Sequence, residues 1–335
     1  MAEFEADPVQ FSSLILDANQ CFEAVKVFNR MAQYLLGGKQ MRSAVPPVAG
    51  LKQLFEAVAQ KTVKYPDEAK EFFLASFTPY KIRPKGNLKG FVTGYFEPQV
   101  MAERKQSLFY RYPILSRPQD IRKRLRPRSE IDLNIEEYQP LAWVRDPIEA
   151  FMIQVQGSAI LQFDNGSKHR LTFDGRNGHP YVSIGKLLIE SGEISLSSMS
   201  IETLKNWVRG AGQRIGEKGR NLLWMNDSYV FFRLVPLREE DLGPIGGAGV
   251  ALTPLVSLAT DRNIWPYATP FLIKGDLSSA RSDWANFQRL MVSQDTGSAI
   301  IGPARGDIFI GTGENAGKLA SRIQHEVDFI VFLPR

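Results

Sequence analysis

Two aspartates near the C-terminus have the spacing and surroundings that acid–base chemistry needs. Asp295 and Asp307 lie twelve residues apart on short apolar segments that glycines separate. Such segments predict the strands of a small barrel, where adjacent strands can bring two carboxylates close together. Ordinary glycosidases use two carboxylates, one to protonate the leaving oxygen and one to act as nucleophile or to activate water. We therefore take this pair as the candidate catalytic site.

The same stretch also matches the aspartic-protease motif, because residues 295–298 read Asp-Thr-Gly-Ser. Such proteases need two aspartates that share one proton across a twofold or pseudo-twofold interface. The sequence contains no second Asp-Thr-Gly or Asp-Ser-Gly, and the residues before Asp295, Ser293 and Gln294, are more polar than the strand that usually precedes the motif. A protease is therefore the least favoured interpretation.

Cysteine and histidine usage argues against metal chemistry. The single cysteine, Cys21, excludes a disulfide within this sequence and any multi-cysteine metal site, and we expect it to be a small buried apolar residue. The three histidines, His169, His179 and His325, lack the i, i+4 spacing of a zinc-binding helix. We predict no catalytic metal and no cofactor.

The elements that must position the aspartates change in character along the chain. Apolar residues at spacings of three and four predict helices over 11–36 and 49–71. From residue 89 onward, short apolar runs such as 91–93 and 151–153 alternate with Gly, Pro and Asn, which predicts strands. A helical segment over 187–208 interrupts them. About six short strands over 243–335 would suit a small closed barrel, and the length of 335 residues suggests two domains.

Several blocks along the chain resemble, in order, those of the lytic murein transglycosylase A (MltA) family, which cuts the glycan strands of bacterial peptidoglycan. The blocks are Gly-Tyr-Phe-Glu-Pro at 94–98, a segment ending in Gln-Gly-Ser at 151–158, and the segments 177–186, 226–232, 249–254 and 294–313. Together they cover roughly residues 90–334.

The resemblance implies a mainly β fold with an N-terminal helical segment. It implies a double-psi β-barrel domain formed by residues 1–101 together with 241–335, and a second β-rich domain for substrate binding inserted at 102–240. A groove between the two domains would hold the glycan, consistent with the tendency of ligand sites to lie at domain interfaces.

The activity implied by the resemblance is that of a peptidoglycan lytic transglycosylase. It would cleave the β-1,4 bond between N-acetylmuramic acid and N-acetylglucosamine and leave a 1,6-anhydromuramic acid end. Asp307 would be the acid that later becomes a base, and Asp295 would be the supporting carboxylate. Burial and the charge of Asp295 would raise the pKa of Asp307. A non-catalytic glycan-binding barrel is the alternative.

Candidate substrate-binding residues come from the same blocks. Amide, hydroxyl and aromatic side chains suit carbohydrate recognition, and Gln154 and Gln156 are expected to share one face of a strand. Ordinary surface or turn positions are the alternative interpretation for each. The full set is Tyr95, Glu97, Gln154, Gln156, Gly157, Ser158, Thr253 and Gln294.

Charge and targeting signals bear on partner and location. The net charge is +5. The segment from Ala102 to Arg128 contains nine Lys and Arg residues but only two acidic residues, Glu103 and Asp120. This stretch is either a solvated linker or helix face, or a surface that attracts carboxylate-bearing peptidoglycan. Nucleic acid is not predicted, since no nucleic-acid module accompanies it. The sequence shows neither a signal peptide nor a transmembrane run. Since the family's substrate lies outside the cytoplasm, we expect a periplasmic or outer-membrane-associated monomer whose export segment has been removed. A cytoplasmic protein is the alternative.

Overall fold

The computed structural model describes residues 4–37, 39, 63–86, 89–237 and 243–335. Most of the predicted helix over 49–71 lies outside the described residues. The strands within those ranges are β1 (Phe4–Pro8), β2 (Phe77–Pro84), β3 (Gly90–Glu97), β4 (Gln99–Ala102), β5 (Tyr112–Leu115), β6 (Pro140–Val144), β7 (Ser158–Phe163), β8 (Lys168–Arg176), β9 (Val230–Pro236), β10 (Ser257–Thr260), β11 (Pro270–Gly275), β12 (Phe287–Asp295), β13 (Arg305–Thr312) and β14 (Gln324–Pro334).

The helices alternate with these strands in both halves of the chain. Those described are α1 (Ala18–Leu36), α2 (Pro66–Ser76), α3 (Ile121–Arg124), α4 (Arg128–Leu133), α5 (Pro147–Gln156), α6 (Ile184–Glu190), α7 (Ile201–Gly210), α8 (Lys218–Trp224) and α9 (Glu314–Ala320). Strands predominate, as the sequence predicted. None of these described helices has the length and apolar character needed to span a membrane.

The chain divides into two compact units. The first comprises residues 1–96, 245–311 and 315–335, and the second comprises residues 97–244 and 312–314. We call them the barrel unit and the insert unit. The assignment of substrate binding to 102–240, and of a groove between the domains, stays a prediction.

The barrel unit is built on an eight-stranded sheet with the order β1-β2-β14-β11-β12-β10-β13-β3, and β14 also pairs with β3. This last pairing closes six strands into a barrel, which leaves those six without an open edge. Five of them come from the C-terminal region, where we predicted about six. The sixth strand is β3, from the segment that precedes the insert unit, so the barrel is completed by residues distant in sequence.

Helix α1 packs its apolar face against the barrel. Its first turn is capped by the side chain of Asp17, which accepts a hydrogen bond from the backbone N–H of Gln20. The predicted start at residue 11 was too early, because 11–13 form only a short 3₁₀ turn. Buried residues at helical spacing form the packing face: Cys21, Ala24, Val25, Phe28, Met31 and Ala32. Cys21 is buried as predicted, and burial raises the pKa of its thiol to about 12.

The insert unit contains a four-stranded sheet with the order β4-β7-β8-β9 and a two-stranded sheet formed by β5 and β6. Helices α3 to α8 accompany these sheets. The predicted helical segment over 187–208 is confirmed in α6 and α7. The apolar residues of α5, α6, α7 and α8 form one of the cores of this unit.

The strand predicted at 151–153 is wrong, because these residues lie in helix α5. Asp146 caps the first turn by accepting from the N–H of Glu149, Pro147 occupies the start, and Gly157 ends the helix with φ +78°. The helix is buried along most of its length, so its apolar run has no helical period to distinguish it from a buried strand.

Candidate active site

Asp295 and Asp307 meet at one level of the barrel, on either side of strand β10. Asp295 ends β12, which runs parallel to β10, and it pairs with Ala259. Asp307 lies in β13, which runs antiparallel to β10, and it pairs with the same residue. We had predicted that the two aspartates lie on adjacent strands. That prediction is wrong, because β10 lies between β12 and β13. At about 4.8 Å per strand, the two Cα atoms are roughly 10 Å apart.

One oxygen of Asp307 is held by a short relay of hydrogen bonds. The Thr93 hydroxyl donates to Oδ1 of Asp307 at 2.7 Å, and Nη2 of Arg305 donates to the Thr93 hydroxyl at 2.8 Å. Because arginine can only donate, the single proton of Thr93 must be directed to Asp307. Within the described ranges, Oδ2 of Asp307 has no hydrogen-bond partner. It is therefore the oxygen placed to carry a transferable proton.

The environment of Asp307 keeps a proton available near neutral pH. Its side chain is partly buried, and this desolvation raises the carboxyl pKa to about 6. The hydrogen bond from Thr93 and the charge of Arg305 lower the pKa, whereas the charge of Asp295 raises it by the smallest contribution. The predicted direction is thus confirmed, with burial outweighing the like charge.

Asp295 is bound at both carboxylate oxygens. Oδ1 accepts from the backbone N–H groups of Gly247 and Thr296 at 2.8 and 2.9 Å, and Oδ2 accepts from the Tyr95 hydroxyl at 2.9 Å. Burial raises the pKa of Asp295, while these three donors lower it because they favour the ionised form. With both oxygens engaged, Asp295 is suited to support the site rather than to deliver a proton.

Two tyrosines and one glycine surround Asp295. Burial, followed by the charge of Asp295, raises the pKa of Tyr95 and brings that of Tyr267 to about 12, so both phenols stay neutral donors at neutral pH. The Tyr95 ring lies 5.3 Å from that of Phe309. At Gly247 a Cβ atom would stand 2.3 Å from the Tyr267 hydroxyl oxygen, so a side chain there would collide with the tyrosine.

Comparison with known proteins identifies the architecture. The family model described as the MltA specific insert domain matches residues 91–233, and the model described as the 3D domain matches residues 256–333. A crystal structure of the membrane-bound lytic murein transglycosylase from Agrobacterium tumefaciens is 32% identical, with a TM-score of 0.86, and the match covers 99% of this chain and 98% of that one. The chain belongs to the MltA family.

Two further members of the MltA family show the same similarity. The membrane-bound lytic murein transglycosylase A of Vibrio cholerae is 33% identical over 239 residues, which are 70% of this chain and 62% of that protein. The aligned part of the chain thus spans less than two thirds of this relative. A structure of Escherichia coli MltA with bound chitohexaose is 26% identical, with a TM-score of 0.74, and covers 99% of this chain and 91% of that one.

In this MltA family member the site combines residues from both matched regions. Thr93 and Tyr95 lie in the stretch that matches the insert-domain model, whereas both aspartates lie in the stretch that matches the 3D domain. The structure nevertheless places all four in the barrel unit, because β3 completes the barrel.

Sequence reasoning missed Thr93, Arg305, Gly247 and Tyr267. Arg305 stands two residues before Asp307 on the same strand. Because side chains at i and i+2 share one face of a strand, its position beside Asp307 could have been predicted. The other three are far from the aspartates in sequence. No local signal marks them, since the pairing of β3 with β13 brings Thr93 to the site, and the loops before and after β10 bring Gly247 and Tyr267.

Two predicted substrate-binding residues of the barrel unit instead link its loops together. Thr253 accepts a hydrogen bond from Nη2 of Arg30 at 2.5 Å, and its backbone N–H donates to the Ser257 hydroxyl at 2.7 Å. The Ser257 hydroxyl donates in turn to Oε1 of Gln294, which is fully buried. This series of hydrogen bonds fixes the segment before β10 to Gln294, the residue preceding Asp295. Gln294 is therefore inaccessible to a sugar.

Two of the five candidates in the insert unit have internal partners. Glu97 is fully buried, and its carboxylate accepts from Arg170 at 2.8 and 3.2 Å and from Thr312 at 2.9 Å. Burial raises the Glu97 pKa, while Arg170 opposes this shift. Gln154 is buried in helix α5, and its Oε1 accepts from Arg128 at 2.7 Å. Both contacts are structural, which contradicts the expectation that these side chains face a glycan.

The other three insert-unit candidates surround the end of α5. Gln156 ends the helix and is partly exposed, Gly157 is its C-cap, and Ser158 begins β7 and is buried. The expected shared face of Gln154 and Gln156 is wrong, because residues two apart on a helix are turned by about 200°. Among the described residues, no group of three or more His, Cys, Asp or Glu side chains could hold a metal ion.

Proposed function

We propose that this MltA family member is a peptidoglycan lytic transglycosylase that cleaves the β-1,4 bond between N-acetylmuramic acid and N-acetylglucosamine. The observation that carries the proposal is the partly buried Asp307, with its pKa raised to about 6 and one oxygen without a partner in the described structure. A carboxyl of this kind is protonated often enough near neutral pH to act as a general acid. The name of the E. coli structure with chitohexaose supports a glycan chain as the substrate.

In the proposed reaction, Asp307 acts twice. First, the proton on Oδ2 passes to the glycosidic oxygen as its bond to C1 of the muramoyl residue breaks. The carboxylate then takes the proton from the C6 hydroxyl of the same sugar, whose oxygen forms the new bond to C1. The product is a 1,6-anhydro ring, no water is consumed, and Asp307 is protonated again at the end.

The neighbours of Asp307 suit both halves of this cycle. When Asp307 has lost its proton, the Thr93 hydroxyl and the charge of Arg305 stabilise the carboxylate. When it is protonated, the bond from Thr93 to Oδ1 keeps the proton on Oδ2. Asp295, bound by Tyr95, Gly247 and Thr296, supplies a fixed negative charge on the other side of β10. That charge would favour the positive character that develops at C1.

Substrate contacts are proposed for fewer residues than the sequence suggested. Gln156, Gly157 and Ser158 remain candidates, since they surround the end of α5 and Gln156 is partly exposed. Tyr95 acts on the reaction through Asp295. The relatives are named as membrane-bound murein enzymes, which supports an extracytoplasmic location for this chain, and we propose that it acts as a monomer.

The test is digestion of purified peptidoglycan sacculi, with mass spectrometry of the soluble products. Anhydro-ended muropeptides are expected. Reducing ends would identify a hydrolase and overturn the proposal, and binding without release would leave a glycan-binding barrel. Peptide cleavage blocked by an aspartic-protease inhibitor would support the protease alternative.

A further inference from the structure

One short loop of the insert unit exposes two large apolar side chains. Leu108 is 77% exposed and Phe109 is 71% exposed, and they are consecutive residues at the apex of the loop between β4 and β5. Isolated apolar residues are common on protein surfaces, but two adjacent side chains this exposed at one apex are not explained by the packing of this unit. We call Leu108 and Phe109 the tip.

The loop beneath the tip is firmly held. The N–H of Ser107 donates to the carbonyl of Tyr110 at 3.0 Å, and the N–H of Tyr110 donates to the Ser107 hydroxyl at 3.2 Å, so Leu108 and Phe109 project from a closed turn. Tyr110 is buried, and its hydroxyl accepts from Arg145 at 3.1 Å. Because these bonds fix the turn, the tip stays exposed.

Basic residues flank the tip in sequence, and one more, Arg145, contacts Tyr110 beside it. Arg104, Lys105, Arg111 and Arg145 are all exposed, and the described residues give none of the four a salt bridge. Arg104 lies over the Phe163 ring, and Arg145 lies over the Tyr110 ring. The acidic side chains whose charges act on Arg145 are Glu149 and Glu103, both only partly exposed. We call these four cations the collar.

We propose that the tip and collar form a docking surface for an anionic phospholipid membrane. An apolar tip can enter the boundary between headgroups and acyl chains, while cations around it stay among the headgroup phosphates. Each Lys or Arg near an anionic bilayer surface strengthens binding by about fivefold, so the collar supplies affinity and lipid selectivity together. The arrangement matches a membrane better than a glycan, which offers no apolar interior for Leu108. Binding of this strength is reversible and would hold the insert unit against a leaflet.

The experiment is co-sedimentation of the full chain with vesicles of phosphatidylglycerol and phosphatidylethanolamine, and separately with vesicles of pure phosphatidylcholine. The parent should bind the anionic vesicles more strongly. The double variant Leu108→Ser with Phe109→Ser should bind them about tenfold more weakly or worse. The collar variant Arg104→Gln, Lys105→Gln and Arg111→Gln should lose the preference for phosphatidylglycerol.

Leu196→Ser is the matched control, because Leu196 is 70% exposed in the same unit but outside the tip and collar. It should bind like the parent. A tryptophan at position 109 (Phe109→Trp) should be quenched by spin-labelled lipid, whereas Leu196→Trp should not. Equal vesicle binding by parent and tip variant would overturn the proposal. If the tip variant lost binding to sacculi but still bound vesicles like the parent, the proposal would also be overturned. The tip would then be assigned to cell-wall binding. Vesicle binding needs no catalysis, so failure here is distinct from failure of the proposed function.

Discussion

Asp295 and Asp307 are both paired with Ala259, from opposite sides of strand β10. This shared partner places the two carboxylates at one level of the barrel but keeps a strand between them. Their roles can therefore differ. Asp295 has both oxygens occupied, whereas Asp307 has one oxygen bound by Thr93. Burial dominates the raised pKa of Asp307, and the charge of Asp295 contributes least.

Replacement of Asp307 by asparagine should remove catalysis while keeping the fold. Asn retains the shape and can still accept from Thr93, but it has no proton to transfer. The rate of anhydromuropeptide release from sacculi should fall by about 10²-fold or more. Asp283→Asn is the matched control, because Asp283 is exposed in the same unit and pairs only with Arg281 among its described contacts. Parental activity in folded Asp307→Asn would rule out the assignment.

The same variant should be more stable than the parent at neutral pH. The pKa of Asp307 is about 6 in the folded protein, whereas an unperturbed aspartate, as in the unfolded chain, has a pKa of 3.8. Between these two pH values the folded state therefore binds more protons than the unfolded state. Stability therefore falls as pH rises from about 4 to 6. Asp307→Asn removes this loss, and its free energy of unfolding should exceed that of the parent by on the order of 1–3 kcal/mol near neutral pH. Urea unfolding near pH 4 and pH 7.5 checks this, and an equal difference at both values would contradict it.

Thr93 should tune the pH dependence of the reaction. Its hydroxyl bond to Asp307 favours the carboxylate, so Thr93→Val should raise the pKa of Asp307 further. The decline in rate on the alkaline side should then move to higher pH. Thr93→Ser keeps the hydroxyl and serves as the control, with a profile close to that of the parent. A pH–rate profile of Thr93→Val that coincides with the parental one would show that this bond does not set the pKa.

Asp295→Asn should change the pH profile only slightly. Removing the like charge lowers the pKa of Asp307, which moves the alkaline decline to lower pH. Because that charge is the smallest contribution to the shift, we expect a change of less than about one pH unit. Asn keeps an acceptor for the N–H groups of Gly247 and Thr296, so the loop should stay in place. The test is the pH–rate profile on sacculi, and a shift to higher pH would contradict this relation.

Alanine substitutions at Gln154 and Gln156 should lower the stability of the protein by different amounts. Gln154→Ala would leave the buried Arg128 without one of its acceptors, which should cost about 1–3 kcal/mol of unfolding free energy. Gln156→Ala, at the partly exposed end of α5, should cost less, about 0.5 kcal/mol. Urea denaturation of the two variants compares them directly. Equal losses would contradict the structural role given to Gln154.

The sequence alone determined the chemical identity of the site and much of its setting. Asp295 and Asp307, the glycines between them and the ordered family blocks predicted the family and a barrel near the C-terminus. These features depend on residue type and local spacing, which a sequence states directly. The helices over 187–208 and the buried Cys21 followed from local pattern in the same way.

Tertiary structure decided which residues accompany the aspartates. Thr93 stands more than two hundred positions from Asp307, and it reaches that carboxylate because β3 pairs with β13, the strand that carries Asp307. Gln154 and Glu97 looked like sugar ligands until their buried partners Arg128 and Arg170 were known. The physical reason is that burial and hydrogen-bond partners depend on contacts distant in sequence, and these contacts determine whether a polar side chain binds a ligand or stabilises the fold.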